Sequence, residues 1–238
     1  MMQFTAMFDA TSTLGVLGFG FFLGLKHAVE ADHLAAVSTI VSERRSLWNS
    51  AIVGGLWGVG HTVSLVAAGV LVLLLDFEIS SETERWLELC VGVMLTLLGL
   101  NVLRKLARGG ILHFHVHDHG GHAHAHPHLH DPSQTDIHHG KRFRPQPLLI
   151  GMVHGLAGSA ALMLAVIPTI RSRTLGLAYI SIFGIGSIGG MMLMSFLLGL
   201  PFHLTALRFN FLNRYLQLAA GSLSIFLGLW IVYEKGFS

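Results

Sequence analysis

The sequence predicts an all-α fold, a polytopic membrane protein with six transmembrane helices in two inverted three-helix repeats. Three observations carry this. First, 52% of the 238 residues are hydrophobic and only 12% are charged, against about 25% charged in an ordinary soluble domain; the mean hydropathy of +0.62 agrees. Second, the apolar residues gather in continuous segments close to the roughly 20 residues a helix needs to cross a bilayer. They do not alternate as barrel strands would. Third, the second half of the chain resembles the first.

The segments run from Thr13 to Val41, Asn49 to Leu75, Arg85 to Leu103, Pro147 to Pro168, Leu175 to Leu200 and Asn213 to Tyr233. Ahead of the first, Met1 to Asp9 has no basic n-region and no small-residue cleavage site, so it reads as a short tail and not a signal peptide. The first segment is longer than a crossing requires, which leaves room for tilt, a break or an extension past the interface. Glycine is abundant, at 28 residues, and suits close helix packing in lipid. The single Cys90 excludes an internal disulfide and a zinc–cysteine site; within an apolar segment it reads as a packing residue. A formal charge of +2 gives no basis for a nucleic-acid partner.

Basic residues set the orientation. Connections after the first, third and fifth segments carry Arg44, Arg45, Arg104, Lys105, Arg108, Lys141, Arg142, Arg144, Arg208 and Arg214. The opposite side carries Arg85, Arg171, Arg173 and Lys235, and Lys26 lies inside a segment. The positive-inside rule then predicts a cell (inner) membrane protein with both termini outside.

The self-similarity has a shift of about 127 residues. His27 and Asp32 fall on His154 and Ser159, the Gly58-Val59-Gly60-His61 stretch falls on Gly184-Ile185-Gly186-Ser187, and Cys90 through Leu100 falls on Ala219 through Leu229. Each unit holds three segments, so the second is inverted in the membrane. Inverted repeats are a common plan in transporters, with the site where equivalent helices meet near the midplane. The expected divisions are residues 1–104, a first repeat with a metal motif; 105–146, a cytoplasmic histidine-rich loop; and 147–238, the second repeat.

The metal motif is His27-Ala28-Val29-Glu30-Ala31-Asp32-His33. Two imidazoles and two carboxylates close to membrane depth are costly and are functional candidates by default; a solvated interfacial loop is the bland alternative. On an ideal helix His27, Glu30 and His33 share one face within about 120°, and Asp32 falls about 100° from His33. Either Asp32 orients an imidazole from behind, or the helix is broken there, as lining a site permits. His61 offers a third imidazole. Imidazole with carboxylate suits divalent nickel, cobalt, copper or zinc. Metalloprotease spacing of the His-Glu-x-x-His type is absent, and no Ser/His/Asp arrangement stands out, so no enzymatic activity is expected.

Eleven of the sixteen histidines lie between Arg104 and Arg144. His113, His115, His117, His119, His122, His124, His126, His128 and His130 are candidates for auxiliary metal binding, because dense histidine tracts take borderline divalent metals. This stretch cannot build an apolar core and is expected to be mobile. An incidental polar linker is the alternative.

His27-x4-Asp32-His33, within Leu25 to Ala36, resembles the signature of the NiCoT nickel/cobalt transporters, and Gly60-His61-Thr62 is similar to that family's second motif. Gly151 to Ser159 resembles the UreH-like branch, relatives linked to urease and its nickel supply. NiCoT members usually have eight spans with the motif on the second, and commonly Asp where Glu30 stands. The resemblance implies nickel or cobalt as the transported substrate, with no resident cofactor, and carries over His27, Asp32, His33 and His61 as site residues. Glu30, and from the second repeat His154 and Ser159, complete the candidate set. The expected activity is nickel uptake. The alternatives are efflux of the same ions, or a membrane-bound chaperone or sensor serving urease or hydrogenase. Expected partners are the metal ion, the lipid bilayer and nickel-enzyme maturation proteins.

Overall fold

Long apolar runs with few breakers make helices, and helices dominate. The computed structural model describes residues 2–42, 46–75, 80–108, 112–118, 123–129, 145–156 and 172–237. Its helices are α1 (Met2–His27), α2 (Ala31–Val41), α3 (Leu47–Leu75), α4 (Ser81–Ala107), α5 (Gln146–Gly155), α6 (Arg173–Arg208) and α7 (Asn210–Phe237). Serine caps open two of them. Ser80 Oγ accepts the Thr83 N–H at 3.2 Å, and Ser172 Oγ accepts the Leu175 N–H at 3.5 Å, each satisfying a donor that the first turn leaves free. Helix α1 begins at Met2, so the expected N-terminal tail is helical.

Among the described residues, four stretches are long and apolar enough to cross a membrane: Leu47–Leu74, Ser81–Ala107, Arg173–Ala206 and Phe211–Phe237. A fifth arises if Thr13–His27 and Ala31–Val41 form one span, bent by 55° at the break between them. The protein is therefore a multi-pass membrane protein. Of the expected fourth span, α5 covers the start; residues 157–168 lie outside the described residues. Large apolar side chains such as Phe22, Leu97, Ile185 and Phe226 point outward, as lipid allows. Trp48, Trp86, Trp230 and Tyr233 are exposed towards helix ends, where amphipathic rings favour the interface. Cys90 is also exposed and does not pack inside.

The histidine-rich connection departs from the all-α expectation. Strands β1 (Leu112–Asp118) and β2 (Ala123–Leu129) pair antiparallel there. Alternating His-x-His over residues 113–117 and 124–128 has the period of a strand.

Glycines set the helix packing. Helix α3 lies against α5 and α6, α1 against α6, and α4 against α7. A methyl group on Gly99 would come within 2.5 Å of the Gly221 carbonyl oxygen, and one on Gly92 within 2.8 Å of that of Gly228. Gly60 meets the backbone of Leu148, Gly151 that of Trp57 and Gly155 that of His61. In lipid such close approach is a main source of helix association. Polar contacts tie the ends: Lys235 pairs with Glu88 at 2.6 Å, and Gln217 Nε2 donates to the Ser42 carbonyl at 3.1 Å. Overpacking a tight crossing costs about 1–3 kcal/mol. Gly99→Leu should therefore lower the thermal midpoint of the detergent-solubilised protein. Gly18→Ala, where no atom lies within 4 Å, should leave it unchanged or raise it.

Candidate metal centre

The break after α1 assembles the site. Val29 N–H donates to the Lys26 carbonyl at 3.0 Å and Glu30 N–H to that of His27 at 3.1 Å. These i→i−3 bonds tighten and close the helix. Glu30 is extended, at φ −65° and ψ 150°, and its carbonyl accepts the Leu34 N–H that opens α2. No glycine or proline stands between Lys26 and His33. Packing holds the bend instead: Gly190 of α6 leaves the space that Ala28 fills.

Four imidazoles converge there. His27 ends α1, His33 lies in the first turn of α2, His61 stands midway along α3, and His154 lies near the end of α5. All are buried, none more than 2% exposed. Ring centroids of His27 and His33, and of His33 and His154, are each 4.3 Å apart. Nε2 of His27 and Nε2 of His61 are 3.1 Å apart. Two nitrogens bound to one ion at about 2.0–2.1 Å lie about 2.8–3.0 Å apart on adjacent corners of an octahedron and about 3.3–3.4 Å apart on those of a tetrahedron. The observed pair lies between the two.

One carboxylate orients two of the rings. Asp32 accepts from His33 Nδ1 at 3.1 Å through one oxygen and from His154 Nε2 at 3.0 Å through the other. An ionised carboxylate only accepts, so both nitrogens carry the proton. The lone pairs then sit on His33 Nε2 and His154 Nδ1. Both atoms are buried and, among the described residues, have no hydrogen-bond partner. Glu30 Oε2 stands 3.0 Å from His27 Nδ1, a close charge contact outside hydrogen-bond alignment. Carboxylates behind imidazoles that face a metal are a recurrent way to fix the tautomer. Asp32 and Glu30 are 31% and 35% exposed, so they form the open side of an otherwise sealed cluster.

Among the described residues, two overlapping groups have ligand atoms within 4.8 Å of one another and can each hold an ion: His27, His33 and His61, and Asp32, His33 and His154. His33 belongs to both. The structure thus brings together six of the seven candidate residues in the membrane; the seventh, Ser159, lies outside the described residues. Of the loop histidines, His119, His122 and His130 also lie outside them, and the other six fall on β1 and β2.

Sequence reasoning missed the walls. Trp57 lies 5.2 Å from His33 and 5.4 Å from His154 between ring centroids, and Phe183 lies 5.7 Å from His27. Both are almost wholly buried. Two signals were present. Trp57 is four residues before His61, hence on the same helical face, and the repeat shift carries Trp57 onto Phe183.

Asp32→Asn tests the orienting role. The amide keeps one accepting oxygen, and its NH2 group would face the second ring's N–H, donor against donor. Nickel affinity of the solubilised protein, read by titration calorimetry, should fall by about 10–100-fold with helix content unchanged.

The family profile described as the cytochrome C biogenesis protein transmembrane region matches residues 33–230. The urease accessory protein UreH of Bacillus sp. strain TB-90 is 36% identical over 228 residues, 96% of this chain and 95% of that protein. The chloroplast protein FOR GROWTH AND FERTILITY 2 of Arabidopsis thaliana is 26% identical over 92% of this chain and 56% of its own length. A high-affinity nickel transport protein of Cupriavidus necator is 32% identical over 81 residues, 34% of this chain and 23% of that protein. No solved structure matches the chain. With one relative similar along nearly its whole length and a nickel transport protein similar over part of it, the chain belongs to the nickel/cobalt transporter family, in its UreH-like branch and within the group that the biogenesis transmembrane profile describes.

Proposed function

We propose that the protein carries Ni²⁺, with Co²⁺ as the second substrate, across the cell (inner) membrane into the cytoplasm through the centre of His27, Glu30, Asp32, His33, His61 and His154, with Ser159 added from the second repeat. The observation that carries this reading is the pair of metal-capable groups sharing His33 at a bend in a membrane span. Asp32 engages Nδ1 of His33 and leaves its Nε2 for the first group. The charges also match, since two carboxylates balance one divalent cation, and an uncompensated charge at this depth is costly.

Neutral nitrogen donors favour late first-row divalent metals over magnesium or calcium. Protons compete for the same lone pairs, so binding weakens as pH falls. Transport, and not catalysis, fits both the donor set and the name of the nickel transport relative.

Helix packing supports the inverted repeat. Under the shift, Gly24 maps to Gly151 and Phe183 to Trp57, and Gly24 meets the backbone of Phe183 as Gly151 meets that of Trp57. Gly60 against Leu148 likewise has its counterpart in Gly186 against Phe21. The pairs α1 with α6 and α5 with α3 are then equivalent, as a two-fold relation requires. Rocking of one repeat against the other would alternate access. The basic-residue bias supports outside termini and a cytoplasmic histidine-rich segment at residues 105–146, between repeats 1–104 and 147–238.

A second reading is nickel delivery to urease maturation proteins, favoured by the name of the 36% identical relative; efflux is the opposite direction of the same transport. In proteoliposomes, His27→Ala and His33→Ala should each cut radioactive nickel flux at least about 100-fold, two metal-ligand losses of a few kcal/mol. Flux that survives both substitutions overturns the site. Deleting residues 113–139 should leave pore flux intact, whereas a delivery protein should fail without them. Loading metal inside or outside reads the direction.

A further inference from the structure

The histidine centre stands at the bend, midway along the span formed by Thr13–His27 and Ala31–Val41. An ion held there has about 15 Å of hydrocarbon depth to cross on either side, half of the bilayer core. Helices α3 and α6 run antiparallel past the centre: Thr62 meets Gly184, Gly58 meets Ile188 and Gly54 meets Ser195. On α3, Trp57 precedes His61 by four residues, one turn or about 6 Å. On α6, Phe183 precedes Ser187 by four, and the repeat shift pairs Ser187 with His61. The two rings are therefore displaced from the centre in opposite directions. Trp57 lies towards the α2–α3 connection and Phe183 towards the start of α6. Each still borders the centre, Trp57 at His33 and His154 and Phe183 at His27.

Beside each ring lie buried polar atoms that want water. Trp57 lines, with Val41, Val53, Gly54 and Ser195, a cleft too narrow to hold a water molecule. Trp57 Nε1 and Ser195 Oγ are buried and, among the described residues, have no hydrogen-bond partner. One turn beyond Phe183, Tyr179 is buried with Leu65 and Ile180, and its hydroxyl is unpartnered as well. Other buried hydroxyls, those of Ser38, Thr39, Ser42, Ser64 and Ser224, each donate to a carbonyl. Buried polar atoms are normally satisfied. These exceptions flank the centre on both sides, where an opening would hydrate them.

We propose that Trp57 and Phe183 are the two gates of the metal path, and that a hydrated divalent cation enters or leaves the centre by displacing one ring at a time. Trp57 closes the side of the α2–α3 connection and Phe183 the opposite side. Both are shut in this structure, at 1% and 2% exposed, so the centre is occluded along the membrane normal. Opening one ring while the other stays shut keeps the centre from joining the two aqueous phases. The inference takes its cargo from the transport reading above, and its test is made without metal.

Single cysteines report each side in a Cys90→Ser background of the full-length protein. Ser195→Cys probes the cleft beside Trp57, and Leu65→Cys probes the cluster around Phe183. A membrane-impermeant thiol reagent is applied to right-side-out and to inside-out membrane vesicles. Trp57→Ala should speed labelling at Ser195→Cys at least about tenfold, as a local opening does, from the face of the α2–α3 connection alone, and leave Leu65→Cys slow. Phe183→Ala should do the reverse from the other face. Trp57→Leu and Phe183→Leu, which keep an apolar side chain, should give the same one-sided pattern with smaller gains and guard against misfolding. Equal gains at both probes, or no gain at either, overturn the gates. Radioactive nickel flux through the unaltered protein in the same vesicles tests the transport reading separately. A one-sided labelling pattern without nickel flux would keep the gates and reject nickel as the cargo.

Discussion

One carboxylate joins the two halves of the chain at the centre of the molecule. Asp32 sits in the first turn of α2 and holds His33 from the same helix and His154 from α5. It ties the bent first span to an element 122 residues away in sequence while deciding which nitrogen of each ring is free. Without it, two buried imidazoles would each keep an unsatisfied N–H, at a cost of about 1–3 kcal/mol apiece. The break at residues 28–30 lies before both Asp32 and His33, so it reorients α2 as a unit relative to α1. Within α2 the two neighbours still point about 100° apart, and the flexible carboxylate bridges from His33 to His154.

The absence of side chains elsewhere protects that contact. His61 and His154 meet because Gly155 lets α5 lie directly on the backbone of His61, and Gly151 does the same at Trp57. Lipid gives little hydrophobic drive between helices, so proximity of backbones supplies much of the association. The imidazoles pull the other way, since clustered polar rings in a sealed interior are destabilising until satisfied. Glycine contacts above and below the cluster, with Trp57 and Phe183 closing its sides, hold together what the histidines alone would not.

Much of this was legible in the chain. Apolar runs marked the membrane helices, and the costly residues in the first run, with His61 and His154, marked the centre. The excess length of the first run allowed a break, but its location was hidden. The bend has no glycine or proline of its own and is held by Gly190 from another helix. The tautomers were hidden too, because they depend on which carboxylate oxygen meets which ring. Trp57 looked like any apolar residue of a span until its ring lay beside two imidazoles. The His-x-His alternation was visible and was read by composition, as a mobile tract, although its period was that of a strand.

The arrangement also bears on selectivity, because affinity order alone favours copper over nickel at any nitrogen site. A rigid pocket discriminates by geometry, and rigidity here has identifiable sources. The ring of His33 is held by Asp32 on one side and lies beside Trp57 on another; His154 is held by the same carboxylate and the same indole. Neither ring can turn to flatten a coordination shell without breaking a charged hydrogen bond. A square shell, open to copper(II) and nickel(II) alike, loses most from that restraint, whereas octahedral or tetrahedral coordination loses least. On the proposed role, the residues behind the ligands, more than the ligands themselves, choose the metal.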